Sequence, residues 1–182
     1  LVEAGLFPAL RDKIPSLELR RVDPSIDALG ELDIALESPR KEGSSLLLVV
    51  DSLDHLLASS DSISVARHLI NRLWRLAASG TSRVTVVVVL RVDQLAACGR
   101  IVVDDLGASL ENLAYDDRHR LFITEPGPRA LREIIDRPAQ MVDLAMDSEF
   151  STCVMRAAAR RPGSLREVSV VLDRAWSVRR ND

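Results

Sequence analysis

The sequence predicts an α/β protein in which helices flank a parallel sheet, followed by a small helical subdomain. Two apolar runs, Leu46–Val50 and Val84–Leu90, have the length of strands, and the first has the unbroken pattern of a strand buried on both faces. Between them, Ile63 to Ser79 repeats apolar residues at helical spacing. After Pro126 the pattern becomes helical throughout, which indicates a separate second part.

Composition sets the class of protein and excludes several others. The chain has 182 residues, of which 47% are hydrophobic and 28% charged, enough for one α/β core with a small appendage. A net charge of −3 and an aromatic content of 3% argue against a nucleic-acid partner. The arginines of the last helices fit a solvated helix face better than a DNA-binding patch.

Cysteine usage and hydropathy predict where the protein acts. Cys98 and Cys153 lie far apart, without the spacing of a metal site or a disulfide framework. No apolar run is long enough to span a bilayer, and the first residues lack the features of a signal peptide. We therefore expect a cytoplasmic location and no membrane partner.

The first third of the chain should place one strand and one helix before the first apolar run. Asp23 is suited to an N-cap because Pro24 follows at the first helical position. The expected elements are the end of a helix at 1–12, a strand at 17–22, a helix from 24 to about 37 and a polar loop at 38–45.

The remaining elements follow from periodicity and from breaks. Gly80 should end the amphipathic helix, whose stripe consists of Val65, Leu69, Leu73 and Leu76. The other expected elements are a polar connector at 52–62, helical pieces within 93–112, a short alternating strand at 119–124, and helices at 129–137, 147–160 and 163–179. The break at 126–128 divides the chain into an α/β core, residues 1–125, and a helical subdomain, residues 126–182.

A charged residue ends each apolar run, and these two residues are the first candidates for a site. Ligands of parallel sheets bind outside the carboxyl ends of the strands. Asp51 follows the first run, as in P-loop NTPases, where such a carboxylate holds Mg²⁺; Arg91 follows the second and could read a γ-phosphate. The alternative interpretation is that strand ends meet water, where a charge is easily tolerated.

Two further positions could extend this site. Asp54, three residues after Asp51, could position an attacking water, or it could be an acid in a surface loop. A basic turn contains Arg161 and Gly163, which could contact phosphate or form only a solvated turn between helices. A phosphate cradle of the pattern G-x-x-x-x-G-K-[ST] does not occur in the sequence.

Five motifs occur along the chain in a defined order. They are Leu1-Val2-Glu3-Ala4-Gly5-Leu6-Phe7-Pro8-Ala9-Leu10, the strand 46–51 with Asp54, Arg91-Val92-Asp93, the helix 131–139 that ends in Pro138-Ala139, and Gly163-Ser164-Leu165 with Leu172 and Trp176. Together they resemble the STAND class of P-loop NTPases, in particular its novel STAND bacterial branch. In that family the first motif directly follows the Walker A loop, and Asp51 matches the Walker B carboxylate.

The resemblance implies a fold and a function. It implies a P-loop NTPase-like sheet whose first strand and phosphate loop are missing because the chain starts just past Walker A, and a helical lid subdomain. It also implies ATP and Mg²⁺ as cofactors, Asp54 and Arg91 as catalytic residues, Asp51 as the metal ligand, and Arg91, Gly163 and Arg161 as nucleotide contacts. Expected partners are the nucleotide, effector and sensor domains of the same longer chain, and further copies in a homo-oligomer.

Three positions depart from the family pattern. The family usually has Glu where Asp54 stands, often a second acid at His55, and a nucleotide-contacting Pro at Arg166. The implied function is a regulatory switch with slow Mg²⁺-dependent ATPase activity. The alternative is a catalytically degenerate P-loop-like scaffold that acts as an interaction module. The three departures favour this alternative somewhat.

Overall fold

The structure of the protein, a computed structural model, describes residues 6–79, 83–159 and 165–178. These residues form two compact units, the first ending at Leu121 and the second beginning at Phe122. We call them the α/β unit and the three-helix unit. No helix within the described ranges is both long and apolar enough to cross a membrane.

A parallel sheet of three strands organises the α/β unit. The strands are β1 (Leu17–Val22), β2 (Ser45–Val50) and β3 (Val84–Val88), in the order β1-β2-β3. Leu47 of β2 pairs with Leu19 of β1 and Thr85 of β3. Each residue from Leu46 to Val50 is buried, because β2 has a strand on either side and apolar groups on both faces. The prediction of a parallel α/β sheet is confirmed.

The two faces of β2 belong to different clusters. Since successive side chains of a strand alternate, Leu46, Leu48 and Val50 enter the main core, whereas Leu47 and Val49 face the opposite side. The helices α2 (Pro24–Glu37) and α4 (Ser60–Ala78) cover the main core, and α1 (Phe7–Arg11) packs on the opposite side.

Capping residues set the starts of both long helices. Asp23 accepts a hydrogen bond from the backbone N–H of Ser25 at 3.0 Å, as the sequence predicts. Ser59 accepts from the N–H of Ser62 at 3.2 Å, so α4 begins three residues before the predicted position. Within the expected polar connector, α3 (Asp54–Leu57) forms a single turn whose Leu56 and Leu57 are buried.

Residues after β3 differ most from prediction. A 3₁₀ segment (Val92–Arg100) and α5 (Leu110–Tyr115) match the expected helical pieces, but β4 (Val102–Val103) and β5 (Ala108–Ser109) form an antiparallel ribbon that periodicity missed. Buried Asn71 of α4 holds this ribbon, donating to the carbonyl of Val102 and accepting from the N–H of Asp104.

The predicted strand at 119–124 is wrong. Residues 120–127 have no regular secondary structure, and Leu121, Phe122 and Ile123 are 84%, 50% and 62% exposed. Alternating apolar residues favour a strand only where a neighbouring strand accepts the backbone hydrogen bonds, and this segment joins no ladder of the described part of the chain.

The three-helix unit consists of α6 (Pro128–Gln140), α7 (Ser148–Ala158) and α8 (Leu165–Ser177). Its core is small and is formed by Leu131, Ile135, Val154, Ala158 and Val168. α6 continues through Pro138, beyond the expected end at Arg137. A hydrogen bond from the Ser151 hydroxyl to Asp136 links α6 to α7 at 2.7 Å.

Candidate functional site

The carboxyl ends of the three strands are tied together by backbone hydrogen bonds. Past the ends of the ladders, the N–H of Asp51 donates to Val22 at 3.3 Å, and the N–H of Val89 donates to Val50 at 2.8 Å. The N–H of Leu53 then donates to the carbonyl of Val89 at 3.0 Å. The segment that carries Asp51 is therefore anchored on both sides. It lies at the carboxyl edge of the sheet, where ligands of parallel sheets are expected to bind.

Asp51 lies at this edge with its side chain 39% exposed. One carboxylate oxygen, Oδ2, is 3.3 Å from Nη2 of Arg21, and the other accepts a 3.4 Å hydrogen bond from the Ser52 hydroxyl. Ser52 has φ 63°, in the left-handed region that a serine adopts only at some cost. Asp51 is therefore partly accessible to solvent, and its carboxylate already has a positive partner in Arg21.

Arg91 follows β3 and is also paired. Its Nε and Nη2 donate to the two carboxylate oxygens of Asp93 at 3.1 and 2.6 Å. This bidentate bond raises the pKa of Arg91, to which the charge of Asp54 also contributes, and lowers the pKa of Asp93. The Arg91 side chain remains 71% exposed, so a phosphate could reach the guanidinium from solvent.

Asp54 is the first residue of α3 and stands at the same edge. The leucines around it hold the turn in place, since Leu53, Leu56 and Leu57 are buried in the main core. The charge of Asp54 makes only a minor contribution to the raised pKa of Arg91, after the hydrogen bond and charge of Asp93. The backbone hydrogen bonds that join Val50 and Leu53 to Val89 place the segments that carry Asp51, Asp54 and Arg91 at the same edge of the sheet.

The other predicted contacts are placed differently. Arg161 and Gly163 lie outside the described residues, so the basic turn has no structural account. Arg166 is exposed in the first turn of α8, and Trp176 near the end of that helix is 38% exposed. Both residues belong to the three-helix unit.

Sequence reasoning missed two charged residues near the end of β1 as site residues, Arg21 within the strand and Asp23 just after it. Arg21 contacts the carboxylate of Asp51, and its Nη2 is 4.0 Å from Oδ2 of Asp23. Hydrogen bonds from Ser25 lower the pKa of Asp23, with smaller contributions from the charges of Arg21 and His55. A search for charges at the ends of all three predicted strands, not only the continuous apolar ones, would have found both.

Mg²⁺ bound with a nucleotide needs few protein ligands, because phosphates and waters complete its octahedral shell. Within the described ranges, no group of three or more His, Cys, Asp and Glu side chains is arranged to hold a metal. At the strand-end site, the carboxylate of Asp51 lies at an open edge and is not grouped with two further ligands. This donor set fits a cation that arrives with phosphate oxygens, and it does not fit a cation held by protein alone.

A parallel sheet of three strands flanked by helices is consistent with a P-loop NTPase-like fold. The family described as Novel STAND NTPase 1 matches residues 1–182, and the chain belongs to this family. No curated protein and no solved structure matched the chain. Membership makes it a nucleotide-binding signalling domain, of a family whose nucleotide usually comes with a divalent metal ion.

Proposed function

We propose that the chain is the ATP-binding and ATP-hydrolysing regulatory switch domain of a STAND-type signalling protein. The supporting observation is that Asp51 and Arg91 follow adjacent parallel strands whose ends are joined by backbone hydrogen bonds. A carboxylate can bind the Mg²⁺ of a Mg²⁺–triphosphate, and a guanidinium at the same edge can bind its phosphate oxygens. Asp54 begins α3, three residues after Asp51 on the same segment.

Each residue then has a defined role. Asp51 would hold the Mg²⁺, directly or through water, and the ion would neutralise charge on the β- and γ-phosphates. Asp54 would accept a hydrogen bond from the attacking water and orient it. Arg91 would exchange its bond to Asp93 for one to the γ-phosphate, so that its contact reports which nucleotide is bound.

The switch itself would use the helical subdomain that follows Pro126. Arg161 and Gly163 would contact the nucleotide from that subdomain, which would close over it as a lid. Rigid-body movement of one part against another is a common way to transmit nucleotide state. Effector and sensor domains, and assembly into a homo-oligomer, would respond to that movement.

The decisive experiment measures how Mg²⁺ changes ATP affinity. Calorimetry would be carried out on the full-length protein, in MgCl₂ and in EDTA. Asp51→Ala should reduce the gain in affinity from Mg²⁺ by about tenfold or more, since it removes a metal ligand. The matched control is Asp104→Ala, which breaks an exposed ion pair with Arg67 elsewhere in the unit.

The outcomes separate the proposal from its rival. Mg²⁺ dependence that is unchanged in Asp51→Ala would exclude Asp51 as the ligand. If ATP binds with the same affinity in both buffers, or not at all, the degenerate scaffold becomes the better account. The bond between Arg91 and Asp93 favours that alternative, because it already occupies the guanidinium.

A further inference from the structure

Arg21 is the residue at the strand-end site for which the proposed function has no role. It lies near the end of β1, opposite Val49 of β2 in the ladder. Its Nη2 is 3.3 Å from the Asp51 carboxylate and 4.0 Å from that of Asp23. The three side chains are 48%, 39% and 38% exposed, so one guanidinium lies within reach of two carboxylates at the surface.

The neighbouring arginine shows that this placement is not a general property of the strand end. Arg20 points to the other side of β1 and donates to the carbonyls of Ser38 and Pro39 at 2.8 and 2.9 Å, as well as to that of Ala35. These bonds connect β1 to the end of α2, a structural role. Arg21 instead meets the acid that would hold the metal.

We propose that Arg21 is a built-in counter-ion of Asp51 that competes with the divalent cation, and that Asp23 receives Arg21 when the cation binds. The proposal rests on the proposed function, in which Asp51 is the metal ligand. If Asp51 bound Mg²⁺ while it was still paired with Arg21, the guanidinium would lie beside the dication. The two positive charges would then repel each other. Metal binding therefore displaces Arg21.

The geometry makes this exchange easy. The pair is partly exposed to water, where ion pairs are weak and break at little cost. Asp23 is already within 4.0 Å, and its bonds from the N–H and hydroxyl of Ser25 favour its ionised form. Arg21 can thus move toward Asp23 by rotation of its side chain, without leaving the strand end.

The measurement is the Mg²⁺ concentration at which ATP binding reaches half of its metal-dependent increase. Arg21→Gln should lower this concentration by about two- to fivefold, the range expected for loss of a partly exposed ion pair. ATP affinity in EDTA should be unchanged. Arg21→Lys, which keeps the charge, should stay near the wild-type midpoint, and circular dichroism would confirm that each variant is folded.

A matched control removes an equivalent pair elsewhere. Arg67→Gln breaks the ion pair with Asp104, whose side chains are 55% and 44% exposed, and should leave the Mg²⁺ midpoint unchanged. A higher midpoint in Arg21→Gln would mean that Arg21 supports the metal or the phosphates, and an unchanged midpoint would make it a spectator. Either result overturns the proposal.

Asp51→Ala, measured in parallel, distinguishes this failure from that of the proposed function. If Mg²⁺ dependence disappears in Asp51→Ala but Arg21→Gln has the wild-type midpoint, only the role of Arg21 is wrong. If Mg²⁺ dependence survives in Asp51→Ala, both proposals fail together.

Discussion

The α/β unit and the three-helix unit differ in how much apolar side chain they bury. In the described part of the α/β unit, Leu32, Leu48 and Leu69 are fully buried in one continuous core. Among the described residues of the three-helix unit, Ile135 is the large side chain that reaches comparable burial, at 1% exposure. Because small cores stabilise a fold weakly, stability should be concentrated in the sheet, and the helices should open at lower free energy.

Truncation of a core side chain in each unit is the strongest test of this difference in stability. Leu48→Ala empties a site at the centre of the sheet and should cost about 3–5 kcal/mol, while Ile135→Ala should cost about 2–4 kcal/mol in a core that relaxes more easily. The chain offers one tryptophan in each unit, Trp74 and Trp176. Urea unfolding followed in the single-tryptophan variants Trp176→Phe and Trp74→Phe reports each unit separately.

We expect the Trp176 transition of the otherwise unchanged protein to occur at lower urea than the Trp74 transition. Leu48→Ala should lower the Trp74 midpoint, and Ile135→Ala should lower the Trp176 midpoint while leaving that of Trp74 in place. Coincident transitions that move together in both variants would show one cooperative fold and would refute the comparison.

The same contrast in burial explains which parts of the fold could be predicted from sequence. β2 was predictable because an unbroken run such as Leu46–Val50 fits only a strand covered on both faces. Val102–Val103 could not be predicted, since a two-residue strand has no period and depends on hydrogen bonds from distant Asn71. The segment at 119–124 had the right period, but the described chain gives it no partner strand.

The sequence predicts that Asp51 and Arg91 lie at strand ends, but it does not predict which charged residues pair with them. Asp51 and Arg91 stand out because they end apolar runs, and parallel strand ends meet at one edge. The partner of Asp51 is Arg21, which is 30 positions away and comes close only through the register of β1 with β2. Arg91, in contrast, finds Asp93 two residues on, within its own turn.

The two cysteines provide a second, milder test because one lies in each unit. Cys98 is buried, and burial, helped by the charge of Glu111, raises its pKa to about 11; Cys153 is exposed. A disulfide reagent at pH 8 should modify Cys153 quickly and Cys98 slower by about a hundredfold or more, after the local structure opens. Cys153→Ser should remove the fast phase alone. Two fast phases would show that the core around Cys98 is loosely held.

The raised pKa also sets a direction for pH dependence. A thiol that ionises less readily in the folded state stabilises that state below its unfolded pKa, and the contribution is lost as pH rises toward about 11. The unfolding free energy read at Trp74 should therefore fall through this alkaline range, and less so in Cys98→Ala. An equal fall in the variant would assign the pH dependence to other groups.

Removal of a helix cap should have the smallest effect on the free energy of unfolding. The two units can be compared directly here, because each contains a helix that begins with an Asp cap. Asp23 begins α2 by accepting from the N–H of Ser25 at 3.0 Å, and Asp147 begins α7 by accepting from that of Glu149 at 2.8 Å. Alanine at either position should cost about 1 kcal/mol. Asp23→Ala should be detected at Trp74 and Asp147→Ala at Trp176, provided that the units unfold separately.

The pH dependence of stability provides a second test of the Asp23 cap. Because its pKa is lowered in the folded protein, its stabilising effect is complete above the unfolded value of about 4 and is lost as pH falls through the lowered pKa. The difference in unfolding free energy between wild type and Asp23→Ala should therefore shrink in acid, measured by urea unfolding at Trp74. A difference that stays constant down to pH 2 would mean that packing around α2, rather than the ionised cap, accounts for the loss.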